Sequence, residues 1–395
     1  MACKLIKIEI RNNLIYPVMF TIAVNILNII RILLKEVIRV NLIIIYPLIM
    51  FISTVLFSLL LLYCQSRKKP SKKKPYLMKI SLIKREKELN RVDSIYKIII
   101  LFILDAYFDF IGSLRRYYLR KQLEDDKNLS GLKDVDMRIR SREIFFSAIL
   151  CFLTIKIKFY KHHIVALIII FVFLIISFVL EIIEMIKVFY YSTSLVFKYL
   201  ILQIILSICR VFSDVIEKYL LEFNYMEPYK ILIFKNIIEV ILGSFFLFDA
   251  QIHNEIDELK SLPKKFNKSY LSLILIIIYF IVAGFKNIYK IFTIKTYSPM
   301  VRTISDCFLD IFFYIWNSRD EIIKYQKITT ECFLIDLFCK SLIFFFNLVY
   351  NEFLVLYCFG MEKNTHQEIT KRAGSVGIIG NIEPIDISLG EIDNP

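Results

Sequence analysis

Asp105 and Asp109 stand four residues apart inside the apolar run 95–117, one helical turn from each other and on one face. Two like charges there repel, and a charged side chain at the centre of a membrane-crossing helix costs about 2.5–3.5 kcal/mol on insertion scales. The pair therefore calls for a basic neighbour from another helix, for a bound proton or cation, or for a raised pKa that leaves one carboxyl neutral. Lys286 and Lys290 in the run 270–291 form the mirror case, and docking the two runs across an interior cavity would answer both. Four further combinations, Arg210 with Asp214, Lys235 with Glu239, Arg302 with Asp306 and Asp336 with Lys340, have opposite signs at the same spacing. Such neighbours on one helix face lower the cost of burying each other.

Covalent chemistry finds little to work with. All four histidines, His162, His163, His253 and His366, read as loop or tail residues, so no intramembrane histidine cluster is expected. The chain has only nine glycines and no phosphate-cradling loop, which argues against an ATP-driven pump. The eight cysteines lie mostly within or beside apolar runs, without metal-ligand spacing, and read as small apolar side chains. No catalytic residue, metal or cofactor is expected, and the chain is read as not an enzyme.

The elements that must position these charges are membrane helices. Of 395 residues 57% are hydrophobic and the mean hydropathy is +0.59, more apolar surface than one soluble core can hide. Runs near the roughly 20 residues needed to cross a bilayer recur at 14–35, 41–63, 95–117, 141–157, 163–184, 197–219, 229–249, 270–291, 299–316 and 334–358. The fourth and fifth are joined only by 158–163, which forces a helical hairpin, and the sixth and seventh by a turn around Glu227-Pro228. Lys4, Lys7 and Arg11 precede the first run but no small-residue cleavage site follows it, so it reads as a retained helix.

The net charge of +14 concentrates in loops, above all 64–94. A basic cytoplasmic loop, able to meet anionic lipid, explains that better than nucleic-acid binding. Placing 64–94 in the cytoplasm puts both termini there as well. It also puts the two sequons, at Asn128 and Asn267, on the opposite side as glycosylation candidates. The organisation expected is a cytoplasmic N-terminus at 1–13, a first five-helix repeat at 14–184 with the lumenal loop 118–140, a second at 185–359, and a flexible cytoplasmic tail at 360–395.

The chain echoes itself. A charged span, Asp105 to Gly112, is followed by Met137-Arg-Ile-Arg140-Ser-Arg-Glu-Ile-Phe-Phe146; a second, Lys286-Asn287 to Lys290, is followed by Met300-Val-Arg302-Thr-Ile-Ser-Asp306. Five spans per half place the second copy in inverted topology, an arrangement common in secondary transporters with a midplane site at the repeat interface. The fold class expected is thus an all-α membrane protein of ten transmembrane helices in two inverted five-helix repeats.

Over 95–320 the sequence resembles the drug/metabolite transporter superfamily, EamA-like and nucleotide-sugar-transporter-like, and within it the solute carrier 35 family, F-type branch. The stretches that carry the likeness are Arg140 to Leu150 through Lys161-His-His163, Leu202-Gln203 through Glu217-Lys218 to Pro228, and Asn287 through Ser298-Pro-Met-Val-Arg302 to Asp306. Where relatives have a Glu-Gly pair and a later Gly in the seventh span, this chain has Lys235-Asn236 and Gly243. The resemblance implies a central site lined by helices three, four, eight and nine, opening alternately to each side. It implies Arg140 and Arg302 at the entrances of the two short helices, where helix N-termini attract anions, balanced or gated by Asp105, Asp109 and Asp306.

The substrate-binding set expected is therefore Asp105, Asp109, Arg140, Lys286, Asn287, Arg302 and Asp306. The expected function is secondary transport of a small polar solute, such as a nucleotide sugar or other anionic metabolite, across an endomembrane by alternating access. The alternative is a non-transporting multi-pass scaffold or receptor. Expected partners are the solute and the lipid bilayer, with proton or ion coupling, solute antiport and a homodimer left open, and no nucleic acid. Golgi or endoplasmic reticulum is the compartment the resemblance implies.

Overall fold

A computed structural model of the chain describes residues 6–8, 15–38, 45–67, 95–113, 143–155, 159–187, 193–247, 270–297, 299–304, 307–308, 311 and 327–356. Nine long helices occupy most of them: α1 Ile15–Ile38, α2 Ile45–Arg67, α3 Ile95–Ser113, α4 Glu143–Ile155, α5 Lys161–Lys187, α6 Thr193–Glu222, α7 Pro228–Leu247, α8 Tyr270–Thr296 and α9 Lys327–Tyr350. They fall on nine of the ten apolar runs. Of the remaining run, 299–316, residues 299–304, 307–308 and 311 are described, all helical. The last helix ends eight residues before its run does, because Leu354–Leu356 (β2) pairs antiparallel with Ile6–Ile8 (β1).

Among the described residues five helical stretches are long and apolar enough to cross a membrane: Tyr46–Arg67, Lys161–Leu180, Val196–Glu222, Tyr270–Thr296 and Glu331–Tyr350. This is the signature of a multi-pass membrane protein. Helices α3 and α7 are of similar length but each carries three charges, Lys97, Asp105 and Asp109 in one and Lys230, Lys235 and Glu239 in the other. The polarity of α8 is inverted relative to a soluble helix: Leu271, Ile274, Ile278 and Ile281 are exposed while Ser272, Asn287 and Lys290 are buried. Aliphatic side chains outward and polar ones inward suit a hydrocarbon solvent, in which a polar group needs an internal partner.

The chain divides into two compact units, one built from two segments of the chain and the other from three. The first holds Ile15–Leu129 and Ile201–Arg302; the second holds Met1–Leu14, Ser130–Leu200 and Thr303–Pro395. In the first unit α1 packs on α8, α2 on both α7 and α8, and α3 on α7. Small residues allow these approaches. A Cβ on Gly243 of α7 would lie 2.4 Å from Leu48 Cδ2 of α2, and one on Gly284 of α8 would lie 2.5 Å from Phe57 Cδ2 and 2.7 Å from Ser53 Oγ. Hydrogen bonds tie the same seam: Ser53 Oγ donates to the Phe280 carbonyl and Asn287 Nδ2 to Thr54 Oγ1 at 2.9 Å. Arg31 of α1 donates to Tyr279 Oη of α8 at 2.8 Å.

The turn from α6 to α7 is the one the sequence marks. Tyr225 has a positive φ of 50°, and Pro228 occupies the first position of α7, where its missing N–H leaves no bond unmade. In the second unit α9 packs on α5 around Ile144, Ile170, Leu174, Cys307 and Ile343. Ser177 of α5 donates to Asp336 near the start of α9, whereas His162 at the start of α5 meets Glu352 just past the end of α9. The two helices therefore run antiparallel. Helix α9 closes with a C-terminal cap in which Glu352 N donates to the Val349 carbonyl and Phe353 N to the Leu348 carbonyl, the Schellman pattern. Its left-handed residue is Glu352, with φ 59°, where glycine is the usual occupant.

Candidate functional site

The first unit buries an interlocked set of charges from α3, α6, α7, α8 and the helical residues 299–304. Lys235 of α7 is its hub. Its ammonium lies 2.6 Å from Asp109 Oδ2 and 3.3 Å from Asp105 Oδ1 on α3, and 2.5 Å from Glu217 Oε1 on α6. It also donates to Ser213 Oγ at 3.0 Å, and Ser213 in turn donates to Asp105 Oδ1 at 2.6 Å. Lys290 of α8 meets Asp214 Oδ1 at 2.9 Å, Glu217 Oε1 at 3.2 Å and Asp109 Oδ2 at 3.9 Å. Arg302, 1% exposed, brings Nε 2.5 Å from Asp214 Oδ2.

The like-charged Asp105 and Asp109 thus receive a basic neighbour from another helix, one of the answers their spacing allows. Its main identity differs from the expectation of Lys286 and Lys290. Lys290 does reach Asp109, at the long end of the ion-pair range, but Lys235 supplies the close contacts. Lys286 points its ammonium at Met50 Sδ, 3.5 Å away, and Asn287 bonds to Thr54, so both face α2. The helical combination of Lys235 with Glu239 is only a 4.0 Å approach, and Asp214 is held by Arg302 and Lys290. Asp336 with Lys340 does form as spaced, at 2.7 Å, in the second unit. Arg140, Asp306, Asn128 and Asn267 lie outside the described residues, as do the loop 118–140, the tail 360–395 and the basic loop 64–94 beyond Arg67.

Sequence reasoning passed over Lys235, Asp214, Glu217, Glu239 and Ser213 as site residues. Each charged one was visible as a charge within an apolar run, which was the available signal. What the sequence lacked was the helix rotation that turns them toward α3.

The cluster is richer in acceptors than in donors. Glu239, fully buried, makes no hydrogen bond through either carboxylate oxygen, and Asp105 Oδ2 and Glu217 Oε2 are likewise buried without a hydrogen-bond donor. A buried acceptor left unmade costs about 1–3 kcal/mol. The arrangement can therefore receive a positive or hydrogen-bond-donating group, whereas its closest cations, Lys235, Lys290 and Arg302, are already engaged by carboxylates.

The second unit holds a different constellation. His162 and His163 sit in the first turn of α5 rather than in a loop, and the cap of α9 brings Glu352 beside them, with His162 Nε2 3.2 Å from Glu352 Oε1. Their rings are 4.0 Å apart between centroids, and the Tyr350 ring lies tilted against His163, 4.8 Å between centroids. Among the described residues Cys64, Cys209 and Cys339 are free thiols. No family model matches the chain, and no curated protein matches it.

Proposed function

We propose that the chain is a secondary transporter that moves a small polar solute across an endomembrane by alternating access, with the buried charge cluster of the first unit as its solute site. The observation that carries this reading is the cluster itself. Charges from five helical segments are gathered inside apolar helices, with Asp105 Oδ2, Glu217 Oε2 and both Glu239 oxygens left without hydrogen-bond donors. A chain that needed charges only as packing would gain by replacing a buried ion network with apolar residues of similar volume. Ionisable groups held at membrane depth are more often on a solute or ion pathway.

Two further features support the ten-span, inverted-repeat architecture. After a short first segment, Met1–Leu14, in the second unit, the chain passes through the first unit, the second, the first and the second again, so each expected five-helix half contributes to both. The pairing of β1 with β2 brings 6–8 beside 354–356, which fits an even number of crossings and both termini on one side. The likeness to nucleotide-sugar-transporter-like proteins points the same way, with both termini cytoplasmic and Golgi or endoplasmic reticulum as the compartment.

The acceptor surplus favours a solute rich in donors, an amine or a polyhydroxylated group, over the anionic metabolite that Arg140 and Arg302 suggest by position. Purified protein in liposomes, tested for uptake of polyamines, amino acids, sugars, nucleotide sugars and sugar phosphates, decides. Saturable uptake of one class that Asp109→Asn abolishes, with the variant still inserted, is the expected result. If no solute in the panel is taken up or raises the thermal midpoint, the transport reading fails.

A further inference from the structure

We propose that His162, His163 and Glu352 form a binding site for one divalent transition-metal ion of the zinc class, at the junction between the start of α5 and the end of α9. One ligand atom from each of the three residues lies within 4.8 Å of the others. The shortest edge, His162 Nε2 to Glu352 Oε1, is 3.2 Å. Tetrahedral coordination with metal–ligand bonds of about 2.0–2.1 Å places neighbouring ligand atoms about 3.3–3.4 Å apart, so this edge already has the span the ion needs.

A second observation points to a ligand. His162 is 3% exposed, and neither of its ring nitrogens makes a hydrogen bond. The close approach to Glu352 lacks hydrogen-bond geometry, as it would if both atoms were aimed at a third between them. Glu352 reaches this place by an unusual backbone choice. The cap of α9 needs a left-handed residue, glycine or asparagine would supply it at lower cost, and the chain puts a carboxylate there instead.

The donor set selects the ion. Two imidazoles and one carboxylate suit zinc, cobalt, nickel or copper, whereas magnesium and calcium take oxygen ligands. Three protein ligands leave a fourth position for water or a further group. The Tyr160 backbone N–H donates to His163 Nδ1 at 3.2 Å, and the rings of Tyr160 and Tyr350 lie close by. Loading through Nδ1 exchanges that hydrogen bond for a metal bond within an aromatic shell. The ion would clasp the first turn of α5 to the turn after α9, and this site is independent of the charge cluster in the first unit.

The test uses the full-length protein in detergent and the metal alone. Titration with Co2+ should give saturable one-to-one binding, with the visible bands of a tetrahedral nitrogen–oxygen site and no thiolate charge-transfer band, and Zn2+ should displace it. His162→Ala and Glu352→Asn, the latter chosen because asparagine accepts the left-handed conformation, should each weaken binding at least about 100-fold; His253→Ala and His366→Ala should not. Zn2+ should raise the thermal midpoint of the wild-type chain, a readout that stands if either site variant fails to fold. Absence of saturable binding, a thiolate band, or affinity indifferent to both site variants overturns the proposal and leaves an ordinary His162–Glu352 ion pair.

Discussion

Replacing Lys235 with Met keeps most of the side-chain volume and removes only the ammonium on which α3, α6 and α7 converge. Asp105 then keeps the Ser213 hydroxyl, Asp109 keeps Lys290 at 3.9 Å, and Glu217 keeps Lys290 at 3.2 Å. Removing one partner of a buried ion pair costs about 3–5 kcal/mol, since the charge left behind is uncompensated. The distances also rank this variant against Lys290→Met. Lys235 faces carboxylates at 2.5, 2.6, 3.3 and 4.0 Å, and Lys290 faces them at 2.9, 3.2 and 3.9 Å. At equal effective dielectric the attraction on Lys235 is about 1.5 times larger. Lys290→Met is milder for a second reason, because Asp214 retains Arg302 while Asp109 and Glu217 retain Lys235. Denaturant unfolding of the purified protein in detergent measures both, together with Asp109→Asn in the Lys235→Met background, which should recover part of the loss by removing one stranded charge. A Lys235→Met variant within about 0.5 kcal/mol of wild type, the range of neutral surface changes, would refute the hub, and so would a larger cost for Lys290→Met.

Gly284→Ala should destabilise by about 1–3 kcal/mol through overpacking, since the added carbon meets both Phe57 and Ser53; Gly243→Ala, which meets chiefly the movable Leu48 side chain, should cost less in the same unfolding assay. Tyr279→Phe removes the acceptor of Arg31 and should lower stability by about 1.5–3 kcal/mol, the range for hydrogen bonds to charged groups, with Tyr279→His recovering part of it. Expression in a glycosylating cell should modify Asn128 and Asn267 together, read as two mobility shifts removed by Asn→Gln at each; modification of only one would break the expected orientation.

Much of the element structure was legible because bilayer-spanning helices write themselves locally. Apolar runs of the right length, a short turn around Glu227-Pro228, and the need of Asp105 and Asp109 for something to offset their like charge were all readable without a fold. So was the bond between Asp336 and Lys340, because both ends sit on one helix. Partners drawn from other helices were not. Lys235 is some 130 residues from Asp105, and its i,i+4 neighbour Glu239 was the obvious but more distant companion. Which way α7 turns is decided by the close approach at Gly243 and by packing on α2 and α3, quantities that no local spacing encodes. The same holds for His162 and Glu352: the cap that lets a glutamate stand in a left-handed position and the antiparallel packing of α5 on α9 exist only in the folded chain. The sequence by itself determined that charges would be buried among apolar helices. Tertiary structure alone decided which charges meet across helices, because such contact depends on helix rotation and register, and these are set by side-chain packing summed over the whole interface.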